Sequence, residues 1–174
     1  MLDFFQKPSL PTFFYRIYLK LSHKLRPKVL HLACAFFGDL LNNGVGAFLT
    51  HLSSYRRPIK SIALTTDSSF ITAWSNDTSY DEIFSRQLDA LGEEGDLVVA
   101  ISTSGNSKNV IEALKFAKKK NINSIILTGS SGGSMENMGD CVIKVPSDDT
   151  QRIQEAHLLI EHILCESVEK AIME

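Results

Sequence analysis

Leu97-Val98-Val99-Ala100-Ile101-Ser102-Thr103-Ser104-Gly105-Asn106-Ser107 is an apolar run that ends abruptly in hydroxyls and a glycine. The apolar part is continuous rather than alternating, the pattern of a strand buried on both faces. Residues 110–117 then take up the apolar spacing of a helix. A buried strand that turns through serines into a helix sets free backbone N–H groups, side-chain hydroxyls and the positive helix end around one spot. Phosphate is the anion this arrangement suits.

Working outward, the same alternation repeats. Residues 59–66 read as a buried strand that stops at Asp67-Ser68-Ser69, followed by a short helix over 68–75 and a longer one over 81–91. Residues 96–101 are the next strand and 107–120 the next helix, which ends in Lys118-Lys119-Lys120, a solvated cluster suited to the negative helix end. A strand over 122–127 stops at Gly129, residues 130–139 are glycine-rich and polar, and a last strand spans 141–145. Asp148-Asp149 precede a long amphipathic helix from Thr150 to about Ile172. Alternating strands and helices predict an α/β fold, a three-layer sandwich around a mostly parallel sheet of four or five strands. Ligands in such sheets sit beyond the carboxyl ends of the strands, where the polar clusters at 65–69, 102–107, 128–133 and 146–150 fall.

The first third is less regular. Residues 1–11 form an arm broken by Pro8 and Pro11. Residues 12–43 carry helical periodicity through Phe13, Ile17, Leu21, Leu25, Val29, Leu32, Phe36 and Leu40, with Pro27 as a kink or a break and Asn42-Asn43-Gly44 as the stop. Residues 45–50 read as a short strand or the start of a helix.

The bulk numbers exclude several classes. The chain has 174 residues with 44% hydrophobic and 22% charged, enough for one domain with a real core. A net charge of −2 gives no bulk attraction to nucleic acid. Cys34, Cys141 and Cys165 lack metal-site spacing and have apolar neighbours, so buried thiols in a reducing compartment are expected. No apolar run approaches the roughly 20 residues that span a bilayer, and the N-terminus shows no signal-peptide pattern. The expectation is a cytoplasmic protein without membrane or direct nucleic-acid contact.

The run from Ile62-Ala63-Leu64-Thr65-Thr66-Asp67 through Asn76-Asp77, Phe84-Ser85-Arg86-Gln87, Gly95-Asp96 and residues 102–107 resembles the sugar isomerase (SIS) domain, most closely that of phosphoheptose isomerases. The tail Val145-Pro146-Ser147, Thr150, Arg152-Ile153-Gln154-Glu155, His157 and His162 is similar too, so the recognisable core covers 57–172 of a single SIS domain spanning 1–174. The resemblance implies isomerisation of sedoheptulose 7-phosphate to D-glycero-D-manno-heptose 7-phosphate, a step toward heptose for cell-surface lipopolysaccharide. It implies that Ser102, Thr103, Ser104 and Ser107 bind the phosphate, that Asn76 and Asp77 contact the sugar, and that Gln154 and His162 lie at the catalytic centre with His162 in proton transfer. Some members bind zinc, for which Gln154 and His162 are the matching donors; no nucleotide cofactor is implied. The family forms homotetramers with sites between subunits.

Alternatives stand beside each assignment. The serines and Asp77 also suit helix caps and turns, and His157 and His162 suit a core or an interface. The family's first strand is followed by Gly-Asn-Gly-Gly-Ser and a helix with a His and, four residues later, the Glu taken as general base. This chain contains no such motif; His51 is the only histidine between Gly44 and Arg57, and Tyr55 stands four residues after it. The other reading is therefore a non-catalytic phosphosugar-binding SIS module that regulates a partner, such as a replication initiator.

Overall fold

A computed structural model describes residues 30–34, 46, 49–50 and 55–173. Five strands form one sheet: β1 (Leu30–Cys34), β2 (Ser61–Ala63), β3 (Leu97–Ser102), β4 (Asn123–Thr128) and β5 (Cys141–Lys144). Their order is β2-β1-β3-β4-β5 and every pairing is parallel. Among the described residues, four helices with both ends defined accompany them: α1 (Ser68–Asp77), α2 (Ile83–Leu91), α3 (Lys108–Lys119) and α4 (Thr150–Met173). A 3-10 turn at Tyr80–Glu82 precedes α2, and another at Gly133–Met135 lies between β4 and β5.

The alternation of side chains along β3 divides the core. Leu97, Val99 and Ile101 face one way and join Ile125, Leu127, Ile143 and Val145 against Ile153, Ile160 and Leu164 of α4. Val98 and Ala100 face the other way and join Ile126 against Phe84 and Leu88 of α2 and Val110, Ala113, Leu114 and Ala117 of α3. Burying each larger side chain contributes about 1.5–3 kcal/mol. The sheet is thus covered on both faces, the three-layer arrangement expected.

The first third corrects the sequence reading. Residues 30–34 were expected within a helical segment, and they form β1, paired to β2 on one side and β3 on the other. Residues 45–50 offered a short strand or a helix; Gly46 and Leu49 are helical, and Thr50 N–H donates to Gly46 C=O at 2.9 Å. The physical reason is that Val29, Leu32, Phe36 and Leu40 recur at helical spacing, yet five residues fit either period. Only the two flanking ladders decide. The arm at 1–11, the remainder of the 12–43 segment, His51 and Cys34's side chain lie outside the described side chains and residues.

Candidate phosphate-binding site

The end of β3 turns into α3 as expected, but its serines are not equivalent. Ser102 is 4% exposed, and its Oγ lies 2.9 Å from Ser107 Oγ. Ser107 is the N-cap residue of α3, and its side chain makes no capping bond. Plain helix capping therefore does not account for this hydroxyl pair. Ser104 is exposed, and its Oγ accepts from Asn106 N–H at 3.2 Å; Thr103 is half-buried between them. Ser104 is thus exposed and Ser107 half-buried, with buried Ser102 in contact with Ser107.

The strand order places this loop. The chain reverses direction across the sheet between β1 and β3, and crevices at such a switch point receive ligands beyond the strand ends. Gly129, the residue after β4, is where three elements meet. Its N–H donates to Thr103 C=O at 3.0 Å. A β-carbon there would lie 2.6 Å from Thr103 O and 2.8 Å from Ile153 Cδ1. This close approach brings the first turns of α4, and with them half-buried Gln154, beside the loop. Asp149 caps α4 by accepting from Gln151 N–H at 2.9 Å, as the sequence suggested.

The other expected residues are spread wider. Asn76 and Asp77 end α1, both exposed, with Asn76 Nδ2 donating to Asp77 Oδ1 at 2.8 Å. Asp77 does not cap an N-terminus: Asp67 and Ser79 do so for the two neighbouring helical turns. The turn at Tyr80–Glu82, three residues on, returns to the start of α3, where Asp81 Oδ2 lies 4.0 Å from Lys108 Nζ. His162 is exposed on α4 and has no hydrogen-bond or ion-pair partner among the described residues. It stands eight residues from Gln154, about 12 Å along the axis. Glu155 shares the exposed surface but pairs with Arg152 at 2.7 Å.

His157 is a buried structural group. Its Nε2–H donates to Thr128 C=O at 3.3 Å, its Nδ1 has no partner, and burial holds its pKa below the ordinary histidine value. One turn further, Glu161 is 5% exposed with neither carboxylate oxygen bonded, and burial raises its pKa to about 8. The core alternative for His157 agrees with this burial, whereas the burial of Glu161 was not read from sequence, because a Glu on an amphipathic helix gives no sign of which face is covered. Asn106 was likewise passed over: it bonds Ser134, 28 positions away, a separation no local pattern reveals.

A resident zinc needs four ligands in a closed site or three in an open one. Gln154 and His162 supply two, and no three His, Cys, Asp or Glu side chains cluster suitably among the described residues. These residues alone do not make a zinc site. Cys165 is buried and its thiol is pushed up to about 12, chiefly by burial, so it is inert; Cys141 is half-buried. Among the described residues, no helix is long and apolar enough to cross a membrane.

Residues 70–160 match the SIS domain family model. A phosphoheptose isomerase of Sulfurimonas denitrificans is 50% identical over 139 residues, 75% of this chain and 71% of that protein. Phosphoheptose isomerase 2 of Campylobacter jejuni is 53% identical over 127 residues, 73% of this chain and 63% of that protein, so the match spans just under two thirds of its length. The structure of a phosphoheptose isomerase from Francisella tularensis superposes with a TM-score of 0.85 at 34% identity, covering 92% of this chain and 87% of that one. The hydroxyl-lined strand end, the parallel sheet and these likenesses agree, and the chain belongs to the phosphoheptose isomerase family of SIS-domain proteins.

Proposed function

We propose that the protein is an aldose–ketose isomerase that converts sedoheptulose 7-phosphate to D-glycero-D-manno-heptose 7-phosphate. The observation that carries the reading is the loop after β3, where buried Ser102 Oγ lies 2.9 Å from Ser107 Oγ, the Ser107 side chain caps no amide of α3, and Ser104 is exposed two residues from Ser102. Names of relatives at about 50% identity support the choice of sugar. The reaction moves a proton between C1 and C2 and needs an acid–base group at the carbons and donors for the oxygens. His162 is the proton carrier in this reading, because an imidazole can accept a proton at one ring nitrogen and donate one from the other. Gln154 orients the sugar oxygens, and Asn76 and Asp77 hold hydroxyls farther from the phosphate. His162 is exposed and unpartnered among the described residues, which supports a site completed by a second subunit within a homotetramer. The same reading makes the chain one SIS domain working in the cytoplasm on a route to cell-surface heptose. If zinc takes part, it needs donors beyond Gln154 and His162, and no step above depends on it.

Two observations favour a second reading, a phosphosugar-binding module without turnover. His162 lacks a carboxylate partner among the described residues, and the sequence lacks the Gly-Asn-Gly-Gly-Ser segment. NMR of the chain with sedoheptulose 7-phosphate, with and without added zinc, separates the two. Turnover that falls about a hundredfold or more in His162→Ala, with binding kept, supports the enzyme. Binding with no turnover above background supports the module.

A further inference from the structure

The phosphate loop is interlocked with a second loop. Gly105 has φ 66°, and a β-carbon there would lie 2.0 Å from Gly132 O. Gly133 has φ 55°, and a β-carbon there would lie 2.4 Å from Ser104 O. The two backbones pass in direct contact, and any side chain at either glycine would force them apart. Met135 N–H also donates to Gly105 C=O at 3.1 Å.

One side chain spans this seam. Asn106 Nδ2 donates to Ser104 C=O at 3.0 Å, and Asn106 Oδ1 accepts from both Ser134 N–H and Ser134 Oγ at 2.9 Å. Ser104, Asn106 and Ser134 are all exposed, so water would satisfy each group if the strut were absent. Core stability gives no reason for three bonds here. The far end of the second loop reaches α4: Ser130 Oγ donates to Asp148 Oδ1, and Ser130 N–H donates to Ser147 C=O at 3.2 Å. Asp149, the next residue, caps the helix that carries Gln154.

We infer that Asn106 is a positioning residue for phosphosugar binding: its carboxamide locks the phosphate loop to the 132–134 turn, and through it to the start of α4. The inference rests on the reading of residues 102–107 as the phosphate site. It explains why a polar side chain that need not touch the ligand makes its bonds to loop backbone and to a distant serine. The locked loop presents Ser104 and the α3 amides in one geometry, which lowers the ordering cost of binding.

Two measurements on the full chain test it. Hydrogen exchange reads the strut without ligand. In Asn106→Ala the Ser134 amide loses its acceptor and exchanges several-fold faster, and Asn106→Asp, which keeps an acceptor oxygen, restores protection. Calorimetry with sedoheptulose 7-phosphate reads the consequence. Affinity falls about tenfold in Asn106→Ala, the size expected from losing one or two modest hydrogen bonds. Ser134→Ala added to that variant costs nothing further, because both act through one contact. Unchanged Ser134 exchange, or affinity within twofold of the unmodified chain, overturns the strut. If the unmodified chain does not bind the sugar phosphate, the phosphate-site reading falls and the positioning role falls with it, whatever the exchange data show.

Discussion

Glu161 is a buried carboxyl group on α4 with both oxygens unbonded. Cys165 lies one turn on, and beyond it Glu169 pairs with Arg56 at 3.1 Å, so that guanidinium is already engaged. Burial without a partner favours the neutral acid, and the pKa rises to about 8 from an ordinary 4.5. The sign follows from proton counting. Between pH 4.5 and about 8 the folded chain holds a proton the unfolded chain has released, so this group's contribution to stability declines as pH rises through that window. The decline is on the order of 5 kcal/mol across the window. Glu161→Gln removes the titration, so denaturant midpoints at pH 5 and pH 9 should converge relative to the unmodified chain. Glu161→Leu should raise stability at pH 7 by about 1–3 kcal/mol, because an apolar group leaves nothing unbonded. Equal pH dependence in all three chains would show that Glu161 stays ionised. At this scale the sequence was legible where chemistry is local: the serine-rich turn and the Asp149 cap announce themselves. The buried face of α4 does not, since Glu161 and His162 are neighbours in sequence and face opposite environments.

Elements were legible in proportion to their length and punctuation. From residue 59 onward, strands bounded by Gly, Asp and Ser and helices with caps fall within a few residues of the observed ones. β1 was hidden because its identity comes from its neighbours: Leu30–Cys34 is too short to show a period, and it is fixed by pairing on both sides. The contact among β4, α4 and the phosphate loop was equally hidden, because Gly129 reads in sequence as a strand stop. In the structure it is a spacer between Thr103 O and Ile153 Cδ1. Gly129→Ala must push α4 from the loop or tilt the Thr103 peptide. Such overpacking costs about 1–3 kcal/mol. Because the displaced parts carry Thr103 and Gln154, sugar-phosphate affinity should fall with stability, by about tenfold. Calorimetry and thermal unfolding of the same variant check both. Lost stability with intact affinity would mean that the phosphate loop and α4 act independently.

For the whole molecule, strand order and net charge together decide how an anion is captured. The sheet order β2-β1-β3-β4-β5 puts the loop after β3 beside the switch point, and on the proposed reading the ligand is met by that loop rather than by a charged surface. A chain of net charge −2 offers no long-range attraction to a dianion. Lys108, the nearest cation along the chain to the loop, is engaged with Asp81 at the limit of ion-pair distance and largely exposed. On the proposed reading, attraction comes from hydroxyls, amides and the α3 end, all short-range. Two consequences follow for sedoheptulose 7-phosphate binding. Raising salt from about 50 to 500 mM should weaken affinity by less than tenfold, since little of it is screened over a Debye length. Lowering pH through about 6, where a phosphate monoester gains its second proton, should weaken affinity several-fold, because an oriented set of donors rewards the dianion. Sedoheptulose without its phosphate should compete poorly even at about a hundredfold higher concentration. Calorimetry across salt and pH, with the neutral sugar as control, measures all three. A steep salt dependence with a flat pH response would instead mean that remote cations capture the ligand, and the loop after β3 would lose its role.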